Sequence, residues 1–164
     1  RQPNQREQVR REGRRVKGAS RIQVEISKAP RGLATIARHA AEFALASQGI
    51  LGGELSIAFV STAEMKRLHA KWLGDDSPTD VITFDLGESP SKRKTRVDGQ
   101  IVICSTVARS QAAEHHVSYR EELLRYVVHG CLHLCGYDDR RASDVRTMHA
   151  EQERVLARFM KAKK

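Results

Sequence analysis

The sequence is poor in aromatics, at 5%, and contains only four prolines and three cysteines in 164 residues. So few aromatic rings offer no evident base-stacking platform of the kind dedicated single-strand binders use. No apolar run approaches the roughly 20 residues needed to span a bilayer, which argues against a membrane protein. The N-terminal stretch lacks an apolar core of the signal-peptide type, so the expectation is a cytoplasmic protein rather than a secreted one. Cys104, Cys131 and Cys135 are an odd number in apolar surroundings, which fits reduced thiols better than a disulfide framework.

What is present is charge, unevenly placed. The formal net charge is +9, and residues 1–21 hold seven Arg and one Lys against Glu7 and Glu12. Residues 1–20 have no hydrophobic period and are expected to be a disordered basic tail. Such a tail can attract phosphate by releasing counterions, or simply solubilise the chain, and composition does not choose between them. Residues 21–162 form one domain by length.

Alternation at Ile22, Val24 and Ile26 predicts a strand, and the spacing from Leu33 through Leu45 predicts a helix stopped near Gly49. Leu55 to Val60 follows as a second strand. Ser61 and Glu64 make a capping box that opens a helix through about Trp72. After turn chemistry at 73–80, a strand is expected from Asp80 to about Leu86. Residues 87–98 are polar and are expected to be a loop, with a short buried strand at Ile101–Cys104. Helices are expected at about 105–116, 118–135 and 142–162. The class is α+β, a single domain with a mixed four-stranded sheet and about five helices.

The chemistry concentrates in the helix expected at 118–135. His129 and His133 are four apart, so they project within about 40° of each other, one turn apart. The apolar stripe of Leu124, Val127, Val128, Cys131 and Cys135 centres on the opposite side, and the histidines share their face with Glu122 and Tyr126. Histidines that merely fill a core should share the apolar stripe. Gly136 ends the helix, and the turn that follows can return Asp138 or Asp139 toward the imidazoles. Two imidazoles and a carboxylate leave one position of a tetrahedral zinc open, which is the outline of a hydrolytic site.

The segment His129-Gly-Cys-Leu-His133-Leu-Cys-Gly-Tyr-Asp138-Asp139 resembles the hallmark His-Gly-x-Leu-His-Leu-x-Gly-Tyr-Asp-His of the YbeY family, departing only at the last position. Pro78-Thr79-Asp80-Val81-Ile82-Thr83-Phe84 and Gly99-Gln100-Ile101-Val102-Ile103 are similar to two further blocks of that family. The resemblance covers about residues 20–160 and places the metal site at a helix end and the following turn. It implies a zinc site of His129, His133 and, at the family's third histidine position, Asp139, with His129 and His133 as the catalytic pair. It also implies single-strand endoribonuclease activity in ribosomal RNA maturation and quality control, with the small ribosomal subunit and an assembly GTPase as partners. The nucleophile would be a metal-activated water or the RNA's own 2′-hydroxyl.

Three departures accompany the likeness. Asp139 makes the ion a weaker Lewis acid than a third imidazole would, and His149 is an alternative ligand on a helix surface. Leu73 stands where the family often has a phosphate-holding arginine, which leaves Lys71, Arg67, Lys92 and Arg93 as candidate substrate-binding cations. Gln100 stands in place of the strand's usual aspartate. Thr79 and Asp80 either orient substrate or bond backbone at a turn. A peptidase is disfavoured because Gly130 sits where His-Glu-x-x-His enzymes carry their general base. A non-catalytic RNA-binding or ribosome-assembly factor is the alternative from another class.

Overall fold

A computed structural model describes residues 21–74, 79–87 and 94–163. The basic segment 1–20, together with Lys92 and Arg93, lies outside them. Four strands, β1 (Gln23–Ser27), β2 (Gly52–Val60), β3 (Val81–Asp85) and β4 (Arg96–Cys104), form a sheet in the order β1-β2-β4-β3. β1 and β4 run parallel to β2, while β3 runs antiparallel to β4 and makes the edge opposite β1. Five helices are described: α1 (Ala34–Ser47), α2 (Thr62–Leu73), α3 (Ser105–Glu114), α4 (Tyr119–Leu134) and α5 (Ala142–Ala162). The architecture is therefore the expected α+β domain with a mixed sheet.

One expectation fails. Residues 96–98 are not loop: β4 begins at Arg96 and pairs with β2 from Gly52↔Arg96 onward. Arg96 and Asp98 are the polar side of a strand whose Val97 is buried, and Asp98 accepts the Glu54 amide at 3.0 Å. The backbone ladder decides the structure there, and side-chain polarity misleads.

The main core lies between the sheet and α1, α4 and α5, and is built from Leu45, Ile57, Ile101, Leu124, Val128 and Phe159 among others. A smaller cluster on the opposite face packs Met65 of α2 against Val60, Ile82, Val102 and Cys104. Each such buried side chain contributes about 1.5–3 kcal/mol. The Ser61–Glu64 capping box forms as expected, with the Glu64 amide donating to Ser61 Oγ at 3.3 Å. Helix α4 lies directly on the sheet because Gly130 has no side chain. A Cβ there would sit 2.7 Å from Ile101 Cγ2. In this chain the motif glycine is a packing residue.

Candidate metal centre

Helix α4 begins with Ser118, whose hydroxyl accepts the Glu121 amide, and ends where Gly136 takes a φ of +97°. Its stripe of Leu124, Val127, Val128 and Cys131 is buried in the core, so His129 and His133 are turned away from it, half-buried, toward a cleft. The left-handed Gly136 reverses the chain, a conformation that would strain any residue with a Cβ. Asp139 is thereby carried back over the imidazoles.

The geometry is that of a coordination site. His129 Nε2 and His133 Nε2 lie 3.1 Å apart, and Asp139 Oδ2 lies 3.7 and 3.4 Å from them. A tetrahedral zinc with ligand bonds near 2.0–2.1 Å has donor–donor edges of about 3.3 Å. The three separations scatter around that value. Among the described residues, this is the group of three His, Cys, Asp or Glu side chains able to converge on one ion.

Hydrogen bonding shows which ring atoms are free. Gln152 Nε2 donates to Glu153 Oε1 at 3.1 Å, which turns its amide oxygen toward His129, 2.8 Å from Nδ1. His133 Nδ1 lies 3.1 Å from the Tyr137 carbonyl. Carbonyl oxygens only accept, so both Nδ1 atoms carry hydrogen and, in the neutral rings, both Nε2 atoms present lone pairs to each other. Burial holds the His129 pKa below the ordinary histidine value, which disfavours resolving that clash with a proton. The Gln152 hydrogen bond and the Asp139 and Asp80 charges pull the other way without reversing the shift. Three electron-pair donors facing one point, each imidazole fixed by an outer partner, match the supporting arrangement of metal-bound histidines.

Both outer partners rest on α5. Gln152 is itself buried on that helix, and the Tyr137 hydroxyl donates to Gln48, whose amide donates to Glu151 at 2.6 Å. Sequence reasoning missed Gln152, yet a signal exists. It lies on the buried face of α5 with Met148, Val155, Leu156 and Phe159, and a polar side chain on such a stripe needs a partner.

The alternatives separate cleanly. The Asp138 carboxylate is taken by Arg140 Nε at 2.9 and 3.1 Å and by the amides of Asp139 and Arg140. His149 lines the same cleft but does not join the donor group. Burial pushes the Cys135 thiol up to about 12 and holds Cys131 well above the ordinary range, so neither supplies a thiolate; all three cysteines are free.

Of the candidate cations, Lys71 Nζ lies 5.1 Å from the Trp72 ring centroid, and Arg67 is exposed on α2. Neither lines the cleft, and Leu73 is exposed at the end of the same helix. Asp80 does line it, while its Oδ1 accepts the Val81 amide at 2.8 Å and Thr79 Oγ1 donates to the Val81 carbonyl at 3.4 Å. The turn-forming reading of Thr79 and Asp80 therefore holds, and Asp80 adds a negative wall to the site.

The cleft has a volume of about 450 Å³ and runs from Asp139 and His129 along α4 past Tyr126 to Glu122 and His115. Burial first, then the Asp80 and Glu122 carboxylates, raise the Tyr126 pKa and keep it a protonated phenol. Arg125 is held more strongly protonated than usual: burial opposes its charge, but Glu153 and Glu122 outweigh that opposition. No described helix is long and apolar enough to cross a membrane.

Comparison with known proteins gives a consistent result. The family model described as Endoribonuclease YbeY matches residues 19–160. The chain is 38% identical over 132 residues to Endoribonuclease YbeY of Geobacillus kaustophilus, covering 76% of this chain and 85% of the relative. It is also 38% identical over 104 residues to the protein of that name from Persephonella marina, covering 63% of this chain and 68% of the relative. The solution structure of TM1509 from Thermotoga maritima superposes with a TM-score of 0.61 at 28% identity, over 84% of this chain and 89% of that one. With the family model matching most of its length, this chain belongs to the YbeY endoribonuclease family.

Proposed function

We propose that the chain is a zinc-dependent endoribonuclease that cuts single-stranded RNA in the maturation and quality control of small-subunit ribosomal RNA. The observation that carries this reading is the meeting of His129 Nε2, His133 Nε2 and Asp139 Oδ2, with both rings oriented by outer hydrogen bonds. Family membership supplies the substrate class, because the relatives are named endoribonucleases. Ribosomal RNA, the small subunit and an assembly GTPase in the cytoplasm are the partners that fit this reading.

A divalent ion held by these three residues would supply Lewis acidity toward a phosphoryl oxygen and make hydroxide available near neutral pH. The chain's own contribution is positional. Gln152 and the Tyr137 carbonyl hold the imidazoles in the Nε2-donor form, and Gly130 seats their helix rigidly on the sheet. Asp139 brings a negative charge in place of a neutral imidazole, which tempers the Lewis acidity. Tyr126, kept protonated, lines the cleft beside the Glu122 carboxylate. Lys71 and Arg67, which do not line the cleft, together with Lys92 and Arg93, are the side chains proposed to attract the RNA backbone.

The test is cleavage of a single-stranded oligoribonucleotide by wild type and by His133→Ala, with metal content measured on the same samples. The proposal expects His133→Ala to lose both. Full cleavage by a metal-free His133→Ala protein would overturn it. A non-catalytic assembly factor is the reading left if wild type binds RNA but neither cuts it nor retains an ion.

A further inference from the structure

The far end of the cleft holds a second polar arrangement that the metal centre does not use. Glu122 is 1% exposed, yet it lines the cleft on the same face of α4 as Tyr126 and His129. Its Oε2 accepts from Arg125 Nη1 at 2.5 Å, and its Oε1 lies 3.3 Å from Nδ1 of His115, the residue that caps α3. His115 also lines the cleft, with its side chain 53% exposed. A buried carboxylate thus stands beside one nitrogen of an imidazole that itself borders the cavity.

We propose that His115, set beside Glu122, hydrogen-bonds a ribose 2′-hydroxyl of the RNA strand lying in the cleft, near but not at the bond that is cut. The inference rests on the RNA reading above. A ribose hydroxyl both donates and accepts, so it can serve the His115 ring in whichever form the imidazole takes. The surroundings select what the ring bonds. Arg125 is committed to Glu121, Glu122 and Glu153, with Nε on Glu153 Oε1 at 2.8 Å, so this end has no cation left for a phosphate. Asp80, Gln111 and His149 add carboxylate, amide and imidazole groups to a lining that also includes the apolar Val145 and Met148. A lining in which the carboxylates of Asp80, Glu122 and Asp139 outnumber the one guanidinium favours a neutral hydroxyl over a phosphate oxygen.

The spacing fits a strand laid along α4. Glu122 and His129 are seven residues apart on one helix, about 10 Å at 1.5 Å per residue. That is a nucleotide or two from the metal centre, so the hydroxyl concerned belongs to a neighbouring residue and not to the one beside the scissile phosphate. The 2′-hydroxyl is the group that lets a protein tell RNA from DNA at a given position.

The experiment uses an oligoribonucleotide cut at one mapped bond, resynthesised with single 2′-deoxy residues at each flanking position but not beside the cut. For wild type, one flanking substitution should raise KM roughly three- to tenfold with kcat unchanged, the worth of one neutral hydrogen bond. His115→Ala should raise KM on the all-RNA substrate by a similar factor and lose sensitivity to that substitution. His115→Gln, which keeps a hydrogen-bonding side chain, should recover part of it. His115→Ala retaining full sensitivity at the same position would overturn the inference while leaving the nuclease reading intact. Sensitivity that tracks base identity instead would overturn the ribose assignment. A wild-type protein that cuts no RNA would bring down the proposed function itself.

Discussion

Helix α4 carries two polar clusters on one face, and their bonding differs. Toward its N-terminus, Glu121, Glu122, Arg125 and Glu153 close on one another in a network in which Arg125 meets three carboxylates. Toward its C-terminus, His129, His133 and Asp139 turn lone pairs toward a common point at 3.1–3.7 Å. The first cluster is complete with protein atoms alone. The second has outer hydrogen bonds that are satisfied and inner atoms that are not, and that pattern is what a cation requires. A count of histidines and carboxylates would not separate the two clusters. The direction of each donor and acceptor does.

The largest effect that would break this comparison is loss of an inner donor. His133→Ala should leave no measurable bound metal, read by elemental analysis, and no RNA cleavage, while thermal unfolding of the metal-free protein changes little. The mirror experiment addresses the closed cluster. Glu122→Leu leaves the partly buried Arg125 with fewer partners and should cost about 2–4 kcal/mol of folding stability in urea titration, below the full price of an unpaired buried charge because Glu121 and Glu153 remain. Its effect on metal affinity should be small.

Between these lies the outer support. Gln152→Leu removes the acceptor that fixes His129, and second-layer losses of this kind weaken metal binding about 10–100-fold. Chelator competition and the visible spectrum of a cobalt-substituted sample would read that change without reference to activity. Retained affinity in a well-folded Gln152→Leu protein would show that the hydrogen bond is incidental.

The smallest effect concerns pH. Burial lowers the His129 pKa from 6.5, so the unfolded chain binds more protons than the folded one in the range just below that value. For the metal-free protein, the corresponding stability is fully present above about pH 6.5 and is lost as the pH falls toward the depressed folded value. His129→Gln should flatten that part of the stability profile, measured by urea midpoints at stepped pH.

How much of this was legible in the sequence depended on whether the signal was local. The capping box at Ser61 and Glu64, the stop at Gly136 and the histidine pair are set by residues within one or two turns of each other, and all three form as expected. Asp139 was legible as a candidate because a glycine reversal returns the next few residues to the helix they left. The start of β4 was missed because Arg96 and Asp98 are polar on a strand whose hydrogen-bond partner, β2, lies more than forty positions away. Gln152 and the His115–Glu122 contact were missed for the same reason. Each joins different helices, and packing rather than spacing brings them together. The segment 1–20 and the pair Lys92 and Arg93 fall outside the described residues, so their proposed roles rest on sequence.

The central claim is met most directly by elemental analysis of purified wild type beside Asp139→Ala and Asp139→His. The account predicts about one divalent ion per chain in wild type, as three protein donors would hold, a marked loss in Asp139→Ala, and recovery in Asp139→His, which restores a third imidazole. Equal metal content in wild type and Asp139→Ala, or none in any of the three, would contradict it.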